Sequence, residues 1–376
     1  MDFILIIGVF QAVLMAALVI SKKNKSLSDY FLTLLFLVQG LTIFLSFMEF
    51  YNRSHNYPYP AFISTSPPLI FLHGPLLWFY IKALTSQRFS FRPVYLLHFL
   101  PFTLVALAMS FSIFLLPAEQ KIEIDRSVTF QNDWLYPAVL AGVALFTQGY
   151  FIWGLLLLKR YRKKIKGYFS KLEDVDLRWL RFFLFLSVGI YAFNSLMYIF
   201  DYAFDLLPYG AMQLTAFVVA SVFILVLGFY GVRQGSVFVT RQVQLDLEKA
   251  SEEAFSSEKL ETGEEQFIRR LLDFMKDEKP FLDPELTIAR LADLLGTGPE
   301  RLSSILNKRL NKNFFDFVNH YRVEEFKNLA QDPANSKLSI MGVAWDSGFN
   351  SKATFNRVFK QLTGITPGQY RQQVSK

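Results

Sequence analysis

A chain of 376 residues that is 52% hydrophobic and 17% aromatic, with 41 Phe, is too apolar to be soluble throughout its length. It has a net charge of +7 and no cysteine, which excludes disulfides and thiolate metal sites, and its four His lack the spacing of a metal site. No metal or cofactor is expected. The apolar runs lie in residues 1–232, whereas residues 233–376 have an ordinary globular composition. We therefore expect an all-α membrane domain followed by a water-exposed part.

Seven apolar stretches in residues 1–232 approach the roughly 20 residues that a helix needs to cross a bilayer. The pattern predicts a seven-transmembrane-helix bundle. The stretch at 69–84 is short, contains Gly74 and Pro75 and ends with Lys82, so a re-entrant or interfacial segment stays open as its alternative. The stretches lie at about 3–20, 30–50, 69–84, 94–116, 135–158, 179–200 and 212–232.

The charges of the loops test this topology independently, because Lys and Arg favour the cytoplasmic side of a membrane. The first, third and fifth loops hold 13 basic residues, eight of them from Lys159 to Arg178. The second, fourth and sixth loops hold three, namely Arg53, Lys121 and Arg126. This asymmetry predicts a membrane protein with its amino terminus outside and its carboxyl-terminal part in the cytoplasm. The first stretch is expected to be retained, since its lysines follow it, the reverse of a signal peptide.

Polar residues are rare within the apolar stretches. Gln39, His73, Gln148 and Asn194 stand singly, which is more typical of hydrogen bonds between helices than of ligand contacts. His98 is expected at an interface. Neither paired carboxylates nor a Gly-rich phosphate loop is found in the sequence. We therefore expect no enzymatic activity, and the sequence does not identify a signal or ligand.

Residues 233–265 are expected to form an acidic linker between the two parts. From 241 to 265 there are eight Asp and Glu against three Lys and Arg. A flexible chain of about 30 residues spans roughly 30 Å on average, which is enough for a solvated tether. A second hypothesis is that this segment docks against the basic fifth loop, at Lys163 and Lys164.

The last part, residues 266–376, repeats one pattern after 52 to 53 positions. Each copy has a capping residue, a short apolar helix, a turn at a glycine and a second helix with one apolar stripe. Thr287 and Gly296 mark the first copy, and Ser339 and Gly348 mark the second. This arrangement predicts two helix-turn-helix units that bind double-stranded DNA. The positions expected to face inward are Ile288, Leu291, Ala292, Leu302, Ile305 and Leu306 in the first copy, and Ile340, Val343, Ala344, Phe355, Val358, Phe359 and Leu362 in the second.

The second copy also carries a longer signature, formed by Gly348-Phe349, Phe355, Arg357, Phe359-Lys360, Gly364, Thr366-Pro367 and Tyr370-Arg371. With these residues the chain resembles the AraC/XylS family of transcriptional regulators over residues 266–376. It departs from the family pattern at Ala353, usually Ser, at Asn311, usually Gly, and at Gly342 inside a short helix. Asn tolerates the left-handed conformation of a helix stop, and Gly342 costs about 1 kcal/mol relative to Ala. These departures are therefore compatible with two helix-turn-helix units.

The second helix of each unit is the expected recognition helix, and these helices should begin near Gly298-Pro299 and Ser351-Lys352. Arg and Asn make bidentate contacts to base edges, whereas Lys and Ser more often hold phosphates. Base contacts are expected above all at Arg301, Ser304, Thr354 and Arg357. The resemblance implies the same helical faces. The full set of expected DNA-binding residues is Arg301, Ser303, Ser304, Asn307 and Lys308 in the first unit, and Lys352, Thr354, Asn356, Arg357 and Lys360 in the second.

Charge and spacing agree with a DNA partner. From Arg301 onward there are 12 Lys and Arg against five Asp and Glu, which suits phosphate binding, although a solvated basic face would give the same count. Residues 313–330 are expected to form one helix of about 27 Å, comparable to the ~34 Å between successive major-groove faces. A helix of that length can hold both recognition helices on one face of a duplex.

These patterns together predict a membrane-tethered, sequence-specific transcription regulator in which seven helices anchor the chain in the lipid bilayer and sense a signal. In the family that the chain resembles, a sensory domain commonly precedes the DNA-binding domain and members often form dimers, so a homodimer and contact with RNA polymerase are compatible with this interpretation. The competing interpretation is a transporter or channel-like protein whose helix-turn-helix part regulates it, although inverted repeats with broken helices are not found. A membrane enzyme acting on lipid is a third alternative. The sequence leaves open the operator, the sign of regulation and the oligomeric state.

Overall fold

The structure is a computed structural model that describes residues 2–86, 89–127, 134–173, 175–204, 209–233 and 262–374. Within these ranges the regular elements are helices, as expected, apart from an isolated antiparallel bridge between Phe169 and Thr287. The chain divides into two compact units. The first holds the described residues up to Lys159 and from Arg178 to 233, and the second holds Arg160–Leu177 and the described residues from 262 onward.

The first unit is built from apolar helices with short connections. A 3-10 segment, Pro93–Phe99, precedes the fourth α-helix, and a π-helical turn, Ser110–Phe114, follows it. The α-helices that begin in this unit are α1 (Asp2–Ile20), α2 (Leu27–Ser54), α3 (Pro67–Thr85), α4 (Leu100–Met109), α5 (Ala118–Ser127), α6 (Leu135–Ile165), α7 (Arg178–Phe204) and α8 (Tyr209–Arg233).

Each of the seven apolar stretches forms helix at the expected place. Five segments of the described residues are long and apolar enough to cross a membrane, by length and composition alone. Leu5–Ile20 and Val218–Arg233 are shorter apolar helices. The stretch at 69–84 forms one continuous helix despite the internal Pro75. The seven-span bundle as a whole stays a prediction. The five longer segments are Leu27–Ser54, Pro67–Thr85, Pro93–Phe114, Leu135–Ile165 and Arg178–Met197.

Close approach and one polar contact join neighbouring helices of this unit. A Cβ atom on Gly40 of α2 would lie 3.0 Å from the Cβ of Ala12 on α1, so the absence of a side chain at Gly40 allows these helices to pack closely. His73 Nε2 lies 3.1 Å from Thr42 Oγ1, which confirms the interhelical hydrogen bond expected of His73. Gln39 differs, because its Oε1 is buried without a hydrogen-bond partner among the described residues.

The fourth loop contains a polar helix, α5, that the sequence pattern did not predict. Its Asp125 accepts two hydrogen bonds from Arg53, at 2.9 Å from Nε and 2.7 Å from Nη2, and a third from the Tyr57 hydroxyl at 2.9 Å. Burial, followed by this bond to Asp125, raises the pKa of Tyr57 to about 12. The bidentate pair fixes α5 to the end of α2.

Among the described residues of the second unit, seven helices of 7 to 18 residues begin, and they surround an aromatic and aliphatic core. Its helices follow one another with short connections. They are α9 (Thr262–Asp277), α10 (Ile288–Leu294), α11 (Pro299–Lys308), α12 (Phe314–Gln331), α13 (Ile340–Asp346), α14 (Lys352–Thr363) and α15 (Pro367–Val374).

The second unit differs from the sequence expectation in three ways. It includes Arg160–Leu177, which the sequence pattern assigned to a loop of the membrane domain, because Tyr168 packs on the core of this unit and the Lys166 and Tyr168 carbonyl oxygens accept hydrogen bonds from its helices. Its first helix begins at Thr262, inside the expected linker, while residues 234–261 and the acidic docking hypothesis lie outside the described residues. The prediction that Leu362 faces inward is wrong, since this residue is 46% exposed. The buried stripe of α14 ends at Phe359, and the helix stops at the left-handed Gly364.

Candidate nucleic-acid interface

Two helix-turn-helix units form as the repeat predicts. The Thr287 Oγ1 accepts a hydrogen bond from the Arg290 amide at the start of α10, and the Ser339 Oγ accepts one from the Gly342 amide at the start of α13. These side chains satisfy amides that have no partner within the helix. The turns that follow use Gly296, with φ of 64°, and Gly348, with φ of 90°. The helix start and the turn therefore form for the same local reason in both copies, namely a capping hydroxyl followed by a glycine in the left-handed conformation.

The stripes expected to face inward form the cores of the two units. The first copy buries all six of its expected residues, from Ile288 to Leu306. The second buries five of its seven, since Ile340 is half-buried and Leu362 is exposed. The five buried residues of the second copy are Val343, Ala344, Phe355, Val358 and Phe359.

The helix α12 contributes to the cores of both helix-turn-helix units and links these two units. Asn311 takes the left-handed conformation with φ of 51°, as expected, and the Asn313 side chain accepts a hydrogen bond from the Asp316 amide to start the helix. Phe317 then packs into the first core, while the Phe326 ring lies 4.8 Å from Phe355 in the second. Its 18 residues span about 27 Å, so α12 is a rigid spacer of the length that the sequence predicted.

The first recognition helix, α11, presents all five of its expected DNA-binding residues on its surface. Arg301, Asn307 and Lys308 are exposed, and Ser303 and Ser304 are partly exposed. The Asn307 Nδ2 donates to the Ser303 carbonyl oxygen at 2.7 Å, so this pair is held on the helix in the absence of DNA. The guanidinium of Arg301 lies 5.3 Å from the ring centre of Phe267 on α9, which orients the arginine by a cation–π contact.

The second recognition helix, α14, presents four of its five expected residues. Lys352, Asn356, Arg357 and Lys360 are exposed. Thr354 is only 5% exposed, and its hydroxyl donates a hydrogen bond to the Glu173 carboxylate. The predicted base contact of Thr354 is untested, but the side chain is covered in this structure. The sequence pattern did not single out Glu173, because its partner lies 181 positions away in the chain.

Arg357 of the second recognition helix is also oriented by an aromatic ring. Its guanidinium lies 5.6 Å from the ring centre of Phe315, and the Lys166 ammonium lies 5.4 Å from the same ring. Phe315 is buried at the start of α12. The aromatic ring therefore places the predicted base-reading Arg357 next to the segment that contains Lys166.

Arg322 is a structural residue that the sequence pattern missed. Although only 2% of it is exposed, its Nε donates to the Phe281 carbonyl oxygen and its Nη2 to the Asp283 carbonyl oxygen, both at 2.8 Å. Its Nη2 also lies 3.3 Å from the Ser170 Oγ. Burial lowers the pKa of Arg322 to about 10, against the opposite effect of Asp283, so the charged form persists at neutral pH. A sequence signal did exist, since Arg322 lies within the apolar side of α12.

Within the described ranges no group of three or more His, Cys, Asp or Glu side chains could hold a metal ion. The exposed polar faces of the two recognition helices are instead made mostly of Arg, Lys, Asn and Ser. These are the side chains that bind phosphates and base edges. The arrangement is chemically suited to a nucleic acid.

Comparison with known proteins supports the assignment of this part. A family described as "Helix-turn-helix domain" matches residues 291–373. The uncharacterized HTH-type transcriptional regulator YtdP of Bacillus subtilis (strain 168) is 35% identical over 91 residues, covering 24% of this chain and 11% of YtdP. The HTH-type transcriptional regulator GlxA of Rhizobium meliloti (strain 1021) is 29% identical over 103 residues, covering 27% of this chain and 31% of GlxA.

A solved structure of a protein of unknown function from Listeria innocua is 27% identical and covers 28% of this chain and 94% of that protein, with a TM-score of 0.25. The chain spans about a tenth of the length of the Bacillus relative and under a third of the Rhizobium relative. These matches therefore concern the carboxyl-terminal part alone. On the geometry of α10–α14, on the family match over residues 291–373 and on the two sequence relatives, the chain carries a helix-turn-helix domain of the AraC type in this part.

Proposed function

We propose that the chain is a membrane-tethered, sequence-specific regulator of transcription. The observation that carries this proposal is the pair of recognition helices, α11 and α14, joined by a helix that belongs to both cores. A spacer of about 27 Å lets both helices enter successive major-groove segments on one face of a duplex. The names of the two relatives, both called HTH-type transcriptional regulators, support the same role.

The proposal gives five of the ten predicted residues distinct tasks. Arg301 and Arg357 are exposed, and each is oriented by an aromatic ring, which suits a bidentate contact to guanine. Lys308, Lys352 and Lys360 are exposed and suit phosphate contacts. Because phosphate contacts add affinity and base contacts add discrimination, the two arginines are the residues to test for sequence preference. No catalytic step is assigned to the chain.

For the amino-terminal part we propose a seven-helix membrane domain of the bacterial inner membrane that holds the regulator at the cytoplasmic face and senses a signal. The five long apolar helices and the 13-to-three charge asymmetry of the loops support this placement. RNA polymerase and a second copy of the chain are proposed partners in line with the family resemblance.

The decisive experiment uses the full chain in lipid nanodiscs and a library of random duplexes at physiological salt. Wild-type protein and a Glu173→Ala variant, chosen because Glu173 covers Thr354, are tested in parallel. We expect enrichment of a motif with two half-elements about one helical turn apart. Arg301→Ala and Arg357→Ala should each relax one half-element, by about 1–3 kcal/mol of discrimination.

The matched control is Lys276→Ala, which removes one exposed positive charge from α9 and leaves both recognition helices intact. It should weaken binding evenly across sequences, if at all, and leave both half-elements in place. Binding that responds to salt but enriches no motif in either wild-type or Glu173→Ala protein would refute sequence-specific regulation.

A further inference from the structure

A segment between α6 and α7, residues 166–173, docks on the helix-turn-helix domain. Its backbone supplies two bonds to helix starts. The Lys166 carbonyl oxygen accepts from the Phe315 amide at 2.9 Å, and the Tyr168 carbonyl oxygen accepts from the Ile288 amide at 3.0 Å. These amides belong to the first turns of α12 and α10, where a helix has no internal acceptor. The segment therefore caps two helices of the DNA-binding unit.

Side chains add to this docking. Tyr168 packs against the core of the first helix-turn-helix unit. The Ser170 Oγ donates to the Leu286 carbonyl oxygen at 2.6 Å, and the Ser170 carbonyl oxygen accepts from the Asn319 Nδ2 at 3.1 Å. Ser170 and Asn319 are both fully buried. Residues 166–170 are thus built into this unit rather than resting on its surface.

The segment ends on the second recognition helix. Glu173 places its carboxylate at the amino terminus of α14, where it accepts a hydrogen bond from the Thr354 hydroxyl. Burial by itself raises the pKa of this carboxyl, but hydrogen bonds from Thr354 and Ser351 outweigh that effect, so the pKa of Glu173 lies below its usual value. The carboxylate is therefore charged at neutral pH. A negative group in this position has the chemistry of a DNA phosphate bound at a helix amino terminus.

A weaker contact reinforces the same position. The Lys171 ammonium lies 2.9 Å from the Glu285 Oε1, and the Asn350 Nδ2 donates to the same oxygen at 3.1 Å. Glu285 and Asn350 are exposed, so this bridge contributes little to stability. It does show that the segment reaches the residues just before α14.

We propose that residues 166–173 act as a built-in competitor of DNA, in which Glu173 occupies the phosphate position of the second recognition helix and covers Thr354. This inference rests on the proposed function. A duplex that approaches Thr354 and Arg357 on one face of α14 has to displace Glu173. Because the segment follows α6 directly and only four residues separate it from α7, movement of those helices is the input that would withdraw it. A signal that moves these helices would in this way uncover the DNA-binding face of α14.

The test uses the full chain in nanodiscs and a duplex of about 30 base pairs, long enough for two half-elements one turn apart, carrying the motif enriched by the Glu173→Ala protein. If a tenth of wild-type molecules are open, Glu173→Ala should bind about tenfold more tightly. The matched control is Glu300→Gln, which removes one exposed negative charge from the first turn of α11, the other recognition helix. It should change affinity by less than about threefold, the size of a charge effect on phosphate binding alone.

A second variant locks the segment instead of releasing it. Phe169 and Thr287 face each other in an antiparallel bridge, and the chain has no native cysteine. Directly opposed residues of this kind lie within the range of a disulfide. Phe169→Cys combined with Thr287→Cys should bind the duplex at least about tenfold more weakly when oxidised, because the lock lowers the open fraction toward zero, and reduction of the same sample should restore binding. The reduced state verifies that the variant is folded.

The outcomes separate the two proposals. If Glu173→Ala binds no more tightly than Glu300→Gln, or if the oxidised lock binds as tightly as its reduced form, the competitor role is refuted while sequence-specific DNA binding stands. If neither wild-type nor Glu173→Ala protein enriches a motif, the proposed function is refuted, and this inference with it.

Discussion

Phe326 of α12 lies against Phe355 of α14, with ring centres 4.8 Å apart and both residues fully buried. Phe326 also contacts Phe359, at 5.2 Å between ring centres. One side chain of the linking helix therefore sets the position of the second recognition helix. Because of this contact, α12 is a spacer that holds α14 in a defined position.

Replacing Phe326 by Ala should release α14 from this spacer. Loss of a buried aromatic side chain leaves a cavity and costs about 3–5 kcal/mol. Hydrogen exchange in the full chain should then rise in α13 and α14 and stay slow in α10 and α11. Leu362→Ala, a truncation at an exposed position of α14, should change exchange little. Equal exchange in all four helices of the Phe326→Ala protein would contradict the spacer role.

Arg322→Lys should destabilise the docking of residues around Phe281 and Asp283, because a lysine cannot supply both donors to the two carbonyl oxygens. Each buried acceptor left unpaired costs about 1–3 kcal/mol. We expect faster proteolysis between α9 and α10 and in residues 166–173 than in wild-type protein.

Arg371→Lys is the matched control for Arg322→Lys. The Arg371 Nη2 also donates to a carbonyl oxygen, that of Asn335, at 2.9 Å, but the residue is partly exposed, so water can replace the lost bond. Comparable proteolysis of the two variants would show that the burial of Arg322 is unimportant.

Gly348→Ala should be much more destabilising than Gly296→Ala, although both glycines have positive φ. A Cβ atom on Gly348 would lie 2.4 Å from the Phe281 carbonyl oxygen, whereas one on Gly296 would have no neighbour within 4 Å. Backbone strain alone accounts for about 1 kcal/mol at Gly296. The clash should bring the loss at Gly348 to about 2–4 kcal/mol. Thermal midpoints of the helix-turn-helix domain in the full chain measure the difference, and equal midpoints would contradict it.

The proposed topology can be tested by labelling single introduced cysteines, because the chain itself contains none. Ser54→Cys at the end of α2 should react with a membrane-impermeant maleimide in intact cells, since the second loop is predicted outside. Asn24→Cys between α1 and α2 should react only after permeabilisation. Both residues are exposed, so accessibility to water is matched. Labelling in the reverse order would refute the proposed orientation.

The repeat in the sequence was sufficient to place the two helix-turn-helix units. Capping by Thr287 and Ser339 and the left-handed turns at Gly296 and Gly348 depend on bonds within a few residues, which a local pattern reports. The apolar stripes likewise marked the buried faces, except at Ile340, which is half-buried, and at Leu362, where the inward stripe had already ended. The sequence predicted nine of the ten exposed or partly exposed residues of the recognition helices for the same reason, because a position that is not in the stripe points to solvent. The exception is Thr354, which Glu173 covers.

The contacts of residues 166–173 could not be predicted from the sequence. Ser170 and Asn319 are separated by 149 positions, and Glu173 and Thr354 by 181, so no local pattern links them. The basic residues around this segment suggested a loop of the membrane domain. Their composition does not indicate that the backbone of residues 166–173 forms hydrogen bonds with the helix-turn-helix domain.

The sequence by itself determined the helical class, the two helix-turn-helix units and their polar faces, because these follow from periodicity, caps and turns. Only the tertiary structure decided that Glu173 covers one recognition helix and that Arg322 is buried at the centre of the unit. Such contacts depend on how distant segments fold together, and the energy of a buried charge or hydrogen bond is fixed by the groups that surround it in space.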